Sequence, residues 1–290
     1  MAEALGRPYA LRRVRPRRVF AALAPWGPAD PGDAAGILAP PFPALCLATG
    51  RRAIPYVRRL KALAPSTRTV LFKDPRTSRH GADRVFVQEH DRLRGAQVAV
   101  TTTSPHRFSQ ARLSAARDRR PEAIMRLPAP RVAVLVGGDS RHHVFRPDDV
   151  KALAGAIRDL AEQGLGIMIT LSRRTPEPLA KALRPLGERA NVLLWSGGAD
   201  NPLESYLAFA DHVVVSADSI NMIGEAAATG APIHVFHPSG GHRKTTAFLE
   251  ALSRHAVIRP LSAGLGGERY PPVDATPAIA DQIRRLAFDR

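Results

Sequence analysis

Cysteine is almost missing from the chain: Cys46 stands alone among 290 residues. One thiol cannot form an internal disulfide or supply a cysteine-rich metal site, and it draws the compartment only toward the reducing default, the cytoplasm. No stretch approaches the roughly 18 to 20 uninterrupted apolar residues that a membrane-spanning helix needs. The amino terminus also lacks the apolar core of a secretory signal. The Arg-rich "LRRVRPRRVF" (11 to 20) fits an edge strand and loop better than a transit peptide, because it alternates and carries a proline. Aromatic residues make up only 6% and are not interleaved with the basic ones, so the stacking platform for exposed bases is absent and nucleic acid is not expected as a partner.

Acids are outnumbered, 26 against 42 basic residues, for a formal charge of +16. A positive field favours phosphorylated substrates or an anionic membrane surface, and both are retained as partners. Only five of the basic residues are lysine; an arginine excess with abundant alanine and proline also arises from coding composition alone.

Apolar residues amount to 44% and charged ones to 23%, which at this length suits two globular domains. From residue 131 strands and helices alternate. "RVAVLVGG" reads as a buried strand, "RPDDVKALAGAIRDLAEQG" as a helix and "LGIMITLS" as a strand. "TPEPLAKALRPLG", "NVLLW", "NPLESYLAFA", "DHVVVSA" and "SADSINMIGEAAATGAPIHVF" continue the pattern. Strands apolar throughout and separated by helices require a parallel sheet covered on both faces. Shorter versions of the same grammar precede residue 120, from "ALCLATG" to the helix "SPHRFSQARLSAARD". The expected class is therefore α/β with two Rossmann-like doubly wound parallel-sheet domains. The first spans 1–125 and the second 126–290, joined through the proline-rich "RRPEAIMRLPAPR". The amphipathic tail "TPAIADQIRRLAF" reads as a helix able to cross back onto the first domain.

Ligands of such sheets bind beyond the carboxyl ends of the strands. Gly137, Gly138 and Ser140 follow one strand and could direct N–H and hydroxyl donors at an anion. Ser172, Arg173 and Arg174 follow the next, with guanidinium forks suited to a diphosphate, though paired arginines also serve as a solvated face. Asp218 or Ser219 caps a helix whose free N–H groups attract phosphate. Glu225 lies about 9 Å along that axis at roughly 1.5 Å per residue, the span from a diphosphate to its ribose; a capped helix with an incidental acid accounts for the residues equally well. Lys244 adds a cation. His90 and Asp91 set an imidazole beside a carboxylate, either as a base or as a loop pair. His234, His237 and His242 are spaced too loosely for zinc, and no metal site or cofactor is expected.

"SRRTP", "GGDS", "DPR" (74 to 76), "HD" (90 and 91) and "NPLESYLAFADHVVVSADSINMIGEAAATGAPIHVF" together resemble the mitochondrial fission Elm-type (elongated mitochondria) family, in which bacterial members are common. That family is similar to GT-B glycosyltransferases, whose two Rossmann-like domains face a cleft. The resemblance implies a metal-independent transferase. Its co-substrate would be a nucleotide sugar held by the second domain, and its acceptor an envelope glycan or lipid. Ser219 and Glu225 would serve phosphate and ribose, and His90 or Asp91 the acceptor hydroxyl. It places the protein in the cytoplasm, with attachment at the inner membrane as the alternative. A sugar-nucleotide epimerase and a non-catalytic membrane-morphology or binding protein are the competing readings. In the family a strand and a Gly-rich loop precede a helix ending much like "AEALGRPY", so a strand upstream of Met1 is expected, with "YALRRV" as the next strand of the first domain.

Overall fold

The computed structural model describes residues 1–289. The chain divides into two compact units, Met1–Pro105 with the segment from Ala275 onward, and His106–Asp274. The first unit carries α1 (Arg18–Leu23), α2 (Pro31–Ile37), β1 (Leu45–Thr49), α3 (Ile54–Leu63), β2 (Arg68–Phe72), β3 (Arg84–Gln88) and β4 (Val98–Thr101). Its four strands are parallel and lie in the order β1-β2-β3-β4. Successive side chains of a strand face opposite sides, and the sheet is covered accordingly. Val70 and Phe86 pack on Ile279, Ala280 and Ile283 of the C-terminal helix. Leu71, Val85 and Val87 pack on Ile54 and Val57 of α3.

The second unit begins with α4 (Gln110–Asp118), capped by the Ser109 hydroxyl accepting from the Arg112 N–H at 3.3 Å, and α5 (Glu122–Met125). It continues through β5 (Arg131–Val136), β6 (His143–Val144), α6 (Pro147–Glu162), β7 (Gly166–Leu171), α7 (Glu177–Leu183), β8 (Val192–Trp195), α8 (Leu203–Phe209), β9 (His212–Ser216) and α9 (Ile220–Ala227). It closes with β10 (Ile233–Phe236), β11 (Ser239–Gly240), α10 (Arg243–Leu252) and β12 (Ile258–Pro260), before α11 (Thr276–Ala287) returns to the first unit. Six strands form a parallel sheet in the order β12-β10-β9-β5-β7-β8. Strand order reverses between β5 and β9, which places the switch-point crevice at their carboxyl ends. One face is covered by α6 and α7 through Leu153, Ile157, Leu179 and Leu183. The other packs under α4, α8, α9 and α10 through Leu113, Leu207, Ile223 and Phe248.

Three local expectations are corrected. "YALRRV" (9 to 14) forms no strand and pairs with no neighbour; just beyond it the Arg15 and Arg17 N–H groups donate to the carboxylates of Asp33 (2.7 Å) and Asp30 (2.8 Å). The change of unit falls at 105/106, not at 125/126, and residues 119–131 are no free linker. Ile124 and Leu127 are buried in the core of the second unit, and Arg112 and Arg119 hold α4 to Glu204 of α8 at 2.7 and 3.0 Å. The amphipathic tail crosses back onto the first unit as its pattern leads one to expect, and the second unit accordingly ends at Asp274. Finally, α2, β4, α10 and β12 are present where the residue pattern signals no element, and α1 begins inside the stretch 11 to 20 expected as an edge strand and loop.

Candidate functional site

The carboxyl ends of β5, β7 and β9 are each followed by a short polar loop, and these loops are bonded into one another. Asp218, after β9, is the centre of the knot. Its side chain is fully buried and accepts from the Gly138 N–H at 3.1 Å, the Ser216 hydroxyl at 2.7 Å and the Arg174 guanidinium at 2.9 Å. Gly137 donates its N–H to the Ser216 hydroxyl at 2.8 Å. Arg174 also donates to the Asp139 carbonyl at 3.1 Å, and the Thr175 hydroxyl donates to the Gly137 carbonyl at 2.6 Å. Glycine is required at both positions after β5. A Cβ on Gly137 would fall on the Asp218 carboxylate, and one on Gly138 on the Arg174 carbonyl.

This wiring revises the roles expected for several residues. The Gly137 and Gly138 N–H groups are already committed to the chain's own side chains, and Asp218 and Arg174 lock the loops together. Ser172 shapes its turn by accepting from the Arg174 N–H at 3.1 Å, and Ser140 accepts from the His142 and His143 N–H groups at 3.3 and 3.1 Å. Arg173 is exposed and, unlike Arg174, has no partner for its guanidinium among the described residues. Ser219 caps α9, accepting from the Met222 N–H at 3.4 Å, so the positive end of that helix opens at the carboxyl end of β9. Lys244 sits in the first turn of α10, its N–H donating to His242 Nδ1 at 3.1 Å.

Glu225 differs from every other acid near these loops. It is half-buried on α9, and its carboxyl makes no hydrogen bond to any described residue. Burial pushes it up to about 7, against the opposing pull of the Arg107 guanidinium. A carboxyl held out of water with no partner is costly to ionise, and such groups concentrate at functional sites.

The structure also gathers residues that the sequence pattern does not single out. β6 and β11 pair antiparallel and tie the segment after β5 to the segment after β10, with Ser239 N–H donating to Asp149 of α6 at 3.0 Å. Beside this ribbon the rings of His142 and His242 lie tilted at 31° to each other with centroids 4.1 Å apart. Burial pushes His143 down, with the Asp218 carboxylate opposing. "RHH" directly after "GGDS" is the one signal that could have found them. Among the described residues no three His, Cys, Asp or Glu side chains gather as a metal site.

In the first unit, His90 and Asp91 lie in the turn after β3. Their side chains are only 6% exposed, with His90 Nε2 3.9 Å from the Asp91 carboxylate. Asp91 also accepts from the Gln88 N–H at 3.4 Å. The pair is thus an enclosed imidazole–carboxylate couple that its own turn holds in place.

A search among known proteins matches residues 1–287 to the family described as "Mitochondrial fission ELM1". The mitochondrial fission protein ELM1 of Arabidopsis thaliana is 30% identical over 192 residues, which is 65% of this chain and 45% of that protein. An uncharacterised protein of Rickettsia prowazekii is 27% identical over 161 residues, 52% of this chain and 45% of the relative. The chain spans about half the length of the curated relatives it matches. In fold it is similar to the UDP-GlcNAc 2-epimerase of Methanocaldococcus jannaschii, with a TM-score of 0.50 at 10% identity over 88% of this chain and 80% of that one. It is likewise similar in fold to S. aureus MnaA, with a TM-score of 0.50 at 10% identity over 89% of this chain and 80% of that one. With the match running through both units, the chain belongs to the mitochondrial fission ELM1 family.

Proposed function

We propose that the second unit binds a nucleotide sugar and that the protein transfers the sugar to a glycan or lipid acceptor. The observation that carries this reading is Glu225: a half-buried carboxyl without a hydrogen-bond partner, on the helix that opens where the strand order reverses. Two vicinal ribose hydroxyls would satisfy it as donors. The α9 end, Arg173 and Lys244 would then face the diphosphate, whose negative charge grows as the sugar–phosphate bond breaks. The fold neighbour named for UDP-GlcNAc gives the same class of ligand.

His90 is the base assigned to the acceptor hydroxyl, with Asp91 orienting its ring. The hydroxyl loses its proton to the imidazole, its oxygen bonds to the anomeric carbon, and the diphosphate leaves with the electron pair of the broken bond. Calorimetry with UDP, UDP-sugars and unrelated nucleotides tests the binding step. Selective binding of a nucleoside diphosphate, lost in Glu225→Ala, is the expected result; equal affinity in parent and variant overturns it. Product analysis then separates transfer to an acceptor from epimerisation of the free nucleotide sugar, and binding without turnover assigns the protein a non-catalytic role in membrane morphology.

A further inference from the structure

Residues 7–26, "RPYALRRVRPRRVFAALAPW", contain six arginines and no acid. The stretch runs as an extended arm into α1, and large apolar side chains stand out from it: Leu11 is 75% exposed, Val19 67%, Trp26 66% and Tyr9 60%. The buried residues here are small, Ala21 in α1 and Ala24 just past its end. Val19 and Leu23 are one helical turn apart; the helix ends there, Ala24 is extended, and the turn that follows is closed by the Trp26 N–H donating to the Leu23 carbonyl at 3.0 Å. Val19 and Leu23, spaced i, i+4, share one outward side of α1, and Trp26 stands exposed in the turn just beyond it. Beside them, the guanidinium groups of Arg13, Arg15 and Arg18 are exposed and have no acidic partner among the described residues. The arm is anchored from behind by Arg17 on Asp30 (2.9 Å) and by Arg58, which donates to the Trp26 carbonyl at 3.1 Å.

We infer that this arm and α1 form a docking surface for an anionic lipid bilayer, with Val19, Leu23 and Trp26 entering the headgroup boundary and Arg13, Arg15 and Arg18 meeting the phosphates. Charge and hydrophobicity select this occupant together. A second copy of the chain would set six arginines against six more, and nucleic acid offers the charge but no apolar depth for an outward valine, leucine and tryptophan. A bilayer surface supplies both, and tryptophan is favoured at its interface because one end of the ring system is apolar and the other polar. The surface lies wholly in the first unit and stands apart from the nucleotide-sugar reading of the second.

The test is sedimentation of the full chain with phosphatidylcholine vesicles, with and without a minority of phosphatidylglycerol. Binding is expected only with the anionic lipid and falls with added salt. Replacing Arg13, Arg15 and Arg18 by Gln weakens it on the order of 100-fold, about fivefold for each arginine near the surface. The same change at three other exposed arginines, Arg120, Arg158 and Arg285, has a much smaller effect. With Trp195→Phe, Trp26 is the sole tryptophan, and its emission shifts to the blue on anionic vesicles. Melting curves of the variants confirm that each is folded. Absence of binding, equal binding to neutral vesicles, or equal loss in the control triple overturns the inference. So does binding that survives Val19→Ser, Leu23→Ser and Trp26→Ala together, which would reduce it to a polyanion contact.

Discussion

Replacing Glu225 by Gln should stabilise the protein while weakening its ligand. The carboxyl rises from its ordinary value of 4.5 to about 7 because burial penalises the ionised form. A raised folded-state value means that the acid favours folding most below pH 4.5 and that this contribution is lost as pH rises through 7. With about 1.4 kcal/mol per unit, the ionised group costs the native state up to about 3 kcal/mol at pH 8 and under about 1 kcal/mol at pH 5. Glu225→Gln removes the charge but keeps the shape. It should therefore raise the melting temperature of the second unit by roughly 5–10 °C at pH 8, with little change at pH 5. The same variant loses a charge-assisted hydrogen bond to ribose, about 1.5 kcal/mol or tenfold in affinity at the least. In the parent, affinity for UDP should rise with pH through 7, because binding needs the carboxylate. Differential scanning calorimetry at the two pH values and titration calorimetry with UDP read the two effects separately. A variant that melts lower at pH 8 would refute the account of a costly unpartnered acid. One that gains stability with unchanged affinity would leave burial without a ligand role.

Asp218→Ala should cost about 3 kcal/mol in denaturant unfolding at an unchanged slope, since it strips the Gly138 N–H, the Ser216 hydroxyl and Arg174 of their shared acceptor. Gly138→Ala should destabilise by a similar amount through collision with the Arg174 carbonyl; if either variant unfolds with the parent, the three loops are not interlocked. His90→Asn should lower transfer by about 100- to 10,000-fold while leaving UDP affinity unchanged, and undiminished turnover in a folded variant would remove His90 from the chemistry. His234 is fully buried and burial pushes it down from 6.5 to about 4. Its contribution to stability is complete above pH 6.5 and is lost as pH falls toward 4, because the unfolded chain binds the proton first. His234→Phe should flatten the stability profile in that window; an unchanged slope would place the acid sensitivity elsewhere.

The second unit is legible in its residues because its strands are apolar throughout and its helices carry their own punctuation. Pro147 opens α6 and Gly164 follows its end in a left-handed turn at φ 83°, signals that act within a few residues and need no tertiary partner. Among the elements that the pattern does not signal, α2 carries the same kind of punctuation, with Asp30 as its cap and Pro31 at its first position, whereas α10 and β12 lack it. α10 is capped by His242, whose ring accepts from a backbone N–H, and β12 is three residues long.

The unit boundary is a matter of packing. Residues 119–131 look like a linker because prolines interrupt any period, yet Ile124 and Leu127 find cover only in a core made by residues far along the chain. "YALRRV" shows the converse, since alternation makes a strand only where a neighbour supplies the second half of the hydrogen bonds, and here no strand lies beside it. At the site, the loops that follow the parallel strands and the helix cap in "ADSIN" can be read from the residues, because connectivity and capping are local. Which polar groups are already bonded, and which remain for a ligand, depends on side chains some 80 positions apart. Only their meeting at the switch point turns Gly138 and Asp218 into a lock, and only the packing around α9 holds Glu225 half-buried without a hydrogen bond.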